Sequence, residues 1–362
     1  MSGGPKIVTE SWRLFKNADR QFSTAEGLAV DDMLPRSVEF HLSSPILNLY
    51  TFTPSAIVGK YQDIEAALKL DRCEARGIEY NRRSTGGGTV IMGPTVLALG
   101  LGINVDHPGL KKGVGGVFES LSLALIRALR SLGITSRFQP KNDIEVEGKK
   151  IAGLSASAET PSGILFHTSL LVDFDVPLML DIMHTPLIKV RDKGYNCFSA
   201  RMTTINGETG RAFSVVEVAD AVESGFRDEF GVTFDQDSPD AWEKSTIDDL
   251  IKSRYLSREW IFSHKHPRTR MGVGMLKTKA GLIELYATLS GGAIENVIIT
   301  GDFFSTPEKI HRLENALKWS SAQPEHIEKN LASVWEKDMI HRLEMNELVE
   351  AVLLAKKNQV RL

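Results

Sequence analysis

Cysteine is nearly absent from this chain: Cys73 and Cys197 are the only two among 362 residues. Two thiols cannot build a disulfide framework or a thiolate metal cluster, so a reducing, cytoplasmic setting is expected. Long apolar runs are missing as well. No stretch approaches the roughly 18 residues that span a bilayer, and Met1–Trp12 lacks the apolar core of a secretory signal. Charge of one sign is also lacking. A formal net charge of −3 gives no electrostatic reason for a nucleic-acid or membrane partner. Small anionic ligands and proteins are the partners to look for, and a monomer is expected. Ordinary apolar and charged fractions exclude disorder and fibres, and the length allows about two domains.

Short β-rich runs alternate with helical stretches from Trp12 to about Phe234, which predicts an α+β fold. Leu28–Leu34 reads as part of a helix. Leu47–Phe52 and Ala56–Gly59 read as strands turning at Thr53 and Pro54. Val117, Leu121, Leu125 and Leu129 fall at helical spacing within Val114–Leu132, with Gly133 as the stop. Ile151–Ser157 and Ile164–Val172 read as strands around Pro161, Ser162 and Gly163. Composition turns polar between Gln236 and Thr246, and a linker is expected there. It divides a first domain, residues 1–240, from a smaller second one, residues 250–362. In the second, Leu282–Leu289 and Ile294–Thr300 predict a hairpin. Thr306 followed by Pro307 and Glu308 predicts a helix start, and Pro324 separates two further helices.

Three segments carry candidate chemistry. In the first, Arg82, Arg83, Ser84 and Thr85 precede Gly86, Gly87, Gly88 and Thr89. Three glycines let a ligand approach the backbone, and a fixed guanidinium holds carboxylate or phosphate. Alone, the run reads equally as a hairpin turn with two solvated arginines. It is neither a GxxxxGK[ST] loop nor a GxGxxG fingerprint. In the second, Asn142 and Asp143 precede Gly148, Lys150 and Gly153; this set suits a nucleotide with Mg²⁺ and a lysine that stabilises developing negative charge. A charged hairpin is the competing reading. The third, Phe166–Val172, holds His167 and Ser169 and gains meaning only from its company.

In this order and spacing, the segments resemble the lipoate-protein ligase family, whose core fold is shared with biotin-protein ligases and with lipoyl or octanoyl transferases. Arg82–Val90 is similar to the family's RRxSGGGxV run. Asn142, Asp143, Gly148, Lys150 and Gly153 are similar to its ND and KxxGxA elements, with Ser155 in place of the alanine. Val58–Gln62 and Lys193–Thr203 are similar to two more of its motifs. Trp260 and Gly301–Phe304 resemble its accessory C-terminal domain. The resemblance implies a biotin/lipoate-ligase-like fold, mixed sheets flanked by helices, with a small α/β accessory domain.

The activity it implies is ATP-dependent: lipoate becomes lipoyl-AMP, then passes to a lysine of an acceptor domain such as a dehydrogenase E2 or a glycine-cleavage H-like carrier. The resemblance assigns Arg83, Thr85, Gly86, Gly87, Gly88, Asn142, Asp143 and Lys193 to the lipoyl-adenylate and ATP. Lys150 is the catalytic residue, on the acyl carboxylate and α-phosphate, and Asp143 is the Mg²⁺ ligand. Val90, Met92, Gly153, His167 and Ser169 shape the lipoyl pocket, and Ile91, Leu97 and Leu99 are further candidates for its walls. Burial of the acyl tail is worth about 0.8 kcal/mol per CH₂. Met92 and Gly93 stand where many members have His-Asp. A thioester-forming octanoyl or lipoyl transferase is the rival; it needs a thiol beside the lysine strand, and neither Phe138–Asp143 nor Asp173–His184 holds one. A non-catalytic lipoyl-domain binding protein is a second rival, and a GRGRxGR loop for a biotin ligase is absent.

Overall fold

The computed structural model describes residues 10–140, 142–184, 201–264, 271–290 and 292–358; Lys193 and Cys197 lie outside them. The first eleven strands among these are β1 (Ser11–Phe22), β2 (Ile46–Phe52), β3 (Ser55–Val58), β4 (Glu79–Arg82), β5 (Val90–Met92), β6 (Val96–Asn104), β7 (Arg137–Gln139), β8 (Asp143–Val146), β9 (Lys149–Ser157), β10 (Gly163–Leu171) and β11 (Thr233–Gln236). Eight form one sheet in the order β11-β1-β2-β6-β10-β9-β8-β7, parallel around β1 and antiparallel from β2 to β7. A three-stranded sheet, β4-β3-β5, stands apart.

Alternation along β6 sets the layers. Leu97, Leu99, Leu101 and Ile103 join one core beneath the helices Gly113–Ser131 and Val215–Phe230, as a side-chain period of two requires. Val96 and Ala98 join a second core, under the helix Thr24–Phe40. The helix rides close on the glycines of that face: a Cβ on Gly102 would lie 2.5 Å from the carbonyl carbon of Leu34. Ser23 caps the helix by accepting from the Glu26 amide.

The expected turn at Thr53 and Pro54 passes the chain from one sheet to another, β2 pairing with β1 and β6, and β3 with β4 and β5. The expected linker is largely ordered structure. Gln236 ends a strand paired with β1, and Ala241–Leu250 is a helix with an Asp240/Glu243 capping box that packs on Thr24–Phe40. Arg13 binds both Asp237 (2.6 Å) and Glu243 (2.5 Å). A run of Asp, Ser and Pro suits a helix cap as well as a linker, and the composition alone does not separate them.

The tail adds an antiparallel sheet, β12 (Gly272–Lys277), β13 (Leu282–Ser290), β14 (Ala293–Gly301) and β15 (Ser320–Ser321), covered by helices Pro307–Leu317, Pro324–Val334 and Met345–Lys357. The predicted hairpin and the Thr306 cap are both present. Aromatics interlock the tail with the body. Tyr61 enters the tail core and stacks on Phe303 at 5.0 Å, while Phe304 enters the main core against Phe118 at 5.5 Å. Among the described residues no helix is long and apolar enough to cross a membrane.

Candidate functional site

Lys150 stands between two cavities. The larger, about 520 Å³, is walled by Asp143, Glu145 and Ile91 and closed on the tail side by Asp302. The smaller, about 100 Å³, lies among Leu28, Tyr50, Phe52, Ile57, Met92 and His167. Lys150, Gly153, Ser169, Gly88 and Val90 line both. An irregularity in the β8–β9 pairing puts Glu145 opposite Lys150 and Asp143 opposite Gly153. Lys150 Nζ is 2.7 Å from Asp143 Oδ1. Its side chain lies across the bare Cα of Gly153, where a Cβ would come within 2.6 Å of Nζ. The KxxG spacing thus has a steric cause: the glycine leaves the bed on which the lysine lies.

Asn142 is spent on the scaffold, its side-chain amide donating to Leu154 O at 2.7 Å. It still lines the smaller cavity.

The glycine run differs from the expected open cradle. Arg83 is buried and donates to Ile57 O, Gly86 O, Gly88 O and Thr85 Oγ1, at 2.7–3.2 Å. Burial and the neighbouring Arg82 charge push its pKa down to about 9, so it is cationic at neutral pH while its hydrogen bonds go inward. Gly86 and Gly87 are buried under the tail: the Gly87 amide donates to Phe303 O at 3.1 Å, and a Cβ on Gly86 would lie 2.3 Å from the same oxygen. Gly88 alone of the three lines the cavities. Ser155, in the alanine position of the motif, donates to Gly86 O at 3.0 Å and staples the loop to β9.

Arg82 is fully buried, and its pKa is lowered to about 10 by desolvation. It donates to Gly59, Lys60 and Gln62 carbonyls on one side and to Trp260 and Ile261 carbonyls on the other. Neither arginine is solvated, which removes the hairpin reading of this segment. The partners of Arg82 lie 20 to 23 and 178 to 179 residues away, so no local signal announces them.

The apolar pocket also differs in detail. Val90, Met92 and Leu99 line the smaller cavity and Ile91 the larger, but Leu97 belongs to the opposite core. Thr85 is buried with its hydroxyl 2.6 Å from His167 Nε2. Sequence reasoning missed the two acids behind this wall, Asp31 and Asp32, both buried. Two carboxylates within the apolar run Leu28–Leu34 were the available signal. Asp32 accepts from Ser84, Tyr255 and Arg254, at 2.5–2.7 Å. Burial, then Glu159, raises its pKa. Burial also opposes the charge on Glu159, but Lys60 and Arg254 outweigh it and lower that pKa.

A thiol nucleophile would have to be ionised and accessible. Cys73, the one cysteine among the described residues, is buried, and desolvation followed by Asp71 pushes its thiol up.

Comparison with known proteins agrees with this arrangement. The Lipoyl protein ligase A/B catalytic domain matches residues 23–227, and the Bacterial lipoate protein ligase C-terminus matches residues 276–352. An octanoyltransferase LipM of Brevibacillus brevis is 26% identical over 275 residues, 69% of this chain and 98% of that protein. Lipoate-protein ligase A subunit 1 of Thermoplasma acidophilum is 28% identical over 249 residues, 66% of this chain and 92% of its own. The P. falciparum LipL1 structure in complex with lipoate, 16% identical, superposes with a TM-score of 0.72 over 95% of this chain and 99% of that one, a likeness of fold. The catalytic fold is therefore the one that lipoate-protein ligases and LipM-type octanoyltransferases share, and the chain belongs to the Lipoyl protein ligase A/B catalytic domain family.

Proposed function

We propose that this chain is an AMP-forming lipoate-protein ligase. Lipoate carboxylate attacks the α-phosphorus of ATP, the α–β bridging bond breaks, and pyrophosphate leaves. A neutral lysine amine of an acceptor domain then attacks the acyl carbon, AMP departs, and the amine loses its proton. The observation that carries the reading is Lys150, which lines both cavities and has no thiol beside it among the described residues. Its ammonium can meet the carboxylate and the α-phosphate oxygens as charge shifts between them. The smaller, apolar cavity suits an eight-carbon acyl tail, and the larger suits the nucleotide.

Mg²⁺ is normally held by substrate phosphates together with one or two carboxylates. Asp143 on the wall of the larger cavity fits that role, and the ion would offset triphosphate charge. The solved structure of a lipoate-protein ligase A bound with ATP, and the T. acidophilum bipartite ligase solved with its E2 lipoyl domain, support a nucleotide substrate and a lipoyl-domain acceptor here. The direct test offers lipoate or octanoate with ATP and an E2 or H-like acceptor domain, and reads the acceptor mass. An ATP-dependent gain of one acyl group supports the ligase. A gain that needs an acyl thioester donor and no ATP would overturn it.

Gly153→Ala is expected to leave the fold in place, because the added methyl meets only the flexible end of Lys150. Adenylate formation should drop on the order of a hundredfold, the usual result of displacing a reacting group by about 1 Å. Single-turnover formation of the acyl-adenylate, beside an unchanged urea midpoint, checks this.

The transferase reading is kept because curated relatives carry that activity in their names. It would route the acyl group through a cysteine thiolate, for which Cys197 is the candidate. Cys197→Ala is expected to retain full ATP-dependent activity; loss of acyl transfer with an intact fold would favour the transferase.

A further inference from the structure

Asp31 plays no part in the chemistry above, yet it ends a chain of hydrogen bonds that leads into the glycine loop. It is 2% exposed on the inner face of helix Thr24–Phe40. Its Oδ2 meets His167 Nδ1 at 3.1 Å and accepts the Tyr50 hydroxyl at 3.0 Å. Across the ring, His167 Nε2 lies 2.6 Å from Thr85 Oγ1, and Thr85 Oγ1 accepts from Arg83 Nε at 3.0 Å. Room for the carboxylate is left by Gly100, which faces His167 in the β6–β10 register; a Cβ there would lie 2.2 Å from Asp31 Oδ1.

These contacts fix directions. A carboxylate has no proton to give, so the ring hydrogen belongs on Nδ1. In the neutral ring Nε2 is then an acceptor, and the proton it takes is that of the Thr85 hydroxyl. Thr85 keeps its lone pairs for Arg83, the guanidinium that also holds the Gly86 and Gly88 carbonyls. The next residue of the helix acts in parallel, since Asp32 accepts from Ser84 at 2.5 Å. Two consecutive acids thus hold two consecutive hydroxyl residues at the entrance to the glycine run, Asp32 directly and Asp31 through the His167 ring.

We infer that Asp31 is a positioning residue: it holds His167 in the Nδ1–H tautomer, so that Thr85 points its hydroxyl into the ring and the Ser84–Gly88 loop keeps its place beside Lys150. Without Asp31, the Nε2–H tautomer becomes available. Thr85 would then accept from both His167 and Arg83, and its own proton would lose the ring nitrogen as its acceptor. The tautomer stands on geometry alone; its consequence for rate rests on the ligase reading.

The experiment is ¹⁵N NMR of the full chain labelled at histidine, where protonated and bare ring nitrogens resonate far apart, with His167→Gln to assign the signals. The wild type should show His167 as Nδ1–H, and Asp31→Ala should move it toward Nε2–H. In Asp31→Ala, kcat for lipoate-dependent ATP–pyrophosphate exchange should fall about tenfold to a hundredfold, the scale of misplacing a group in the site by up to about 1 Å, with KM for ATP unchanged. Asp31→Asn keeps an acceptor for Nδ1–H, so it should hold the tautomer and lose less, and Asp31→Leu, which has no acceptor, carries the test if the alanine variant does not fold. A wild-type Nε2–H signal, or full activity together with an unmoved tautomer in the variant that lacks an acceptor at position 31, would overturn the proposal. A wild type that shows the Nδ1–H signal but no exchange would instead count against the ligase reading.

Discussion

Lys150→Ala is expected to lower acyl-adenylate formation by about a hundredfold to a thousandfold, the measured scale for removing one group that stabilises a developing oxyanion. The cause is local. Lys150 is the ammonium that reaches both cavities from β9, whereas Arg83 spends its hydrogen bonds on carbonyls and on Thr85. Nothing in the core depends on Lys150, whose side chain is 35% exposed with Asp143 as its ion-pair partner, so the urea midpoint should barely move. Lys150→Arg should not rescue the rate, because a planar fork cannot take the place of a compact ammonium on the Gly153 bed. Rapid-quench measurement of acyl-AMP separates this from a defect in the transfer step. A variant that still forms the adenylate at the wild-type rate would mean that another cation does the work.

Arg82→Ala should have the opposite signature, a large loss of stability. Its guanidinium is wholly buried and satisfies carbonyls of Gly59, Lys60 and Gln62 together with those of Trp260 and Ile261. The Trp260 indole N–H returns a bond to Arg82 O at 2.9 Å. Truncation strands these oxygens, each at roughly 1–3 kcal/mol where it is buried without a donor, and the total should be about 3 kcal/mol or more. Urea unfolding reads this as a lower midpoint. Arg82→Lys keeps the charge but cannot span both sets of carbonyls, and it should recover only part of the loss. A midpoint within about 0.5 kcal/mol of wild type, the scatter of ordinary surface changes, would contradict the account.

These two variants also mark what the sequence could tell. Lys150 and Gly153 were legible because their relation is local: a lysine and a glycine three residues apart on one strand, touching directly. The fold was legible for a similar reason, since the helical spacing of Val117, Leu121, Leu125 and Leu129 and the Thr306–Pro307 helix start are both short-range patterns.

The arginines were not. Arg83 was expected to hold a ligand, but its bonds go to Ile57 of β3 and to Thr85, Gly86 and Gly88 of its own loop, while those of Arg82 go to the loop after β3 and to residues nearly 180 positions away. Gly86 and Gly87 permit a close approach, as expected, but what approaches is the Phe303 carbonyl of the tail. The polar run before Ala241 read as a linker because Arg13, which binds Asp237 and Glu243, sits at the other end of the domain's sequence. Met92 lines the smaller cavity and is 5% exposed. On the ligase reading, a soft thioether there would pack against the acyl chain.

On the ligase reading, the acyl group is activated as an adenylate and not carried on a thiol. Exchange of labelled pyrophosphate into ATP tests it most directly, with full-length protein, Mg²⁺ and lipoate but no acceptor. Label should enter ATP only when lipoate is present, persist in Cys197→Ala and vanish in Lys150→Ala. No lipoate-dependent exchange in the wild type, or exchange that survives in Lys150→Ala, would contradict it.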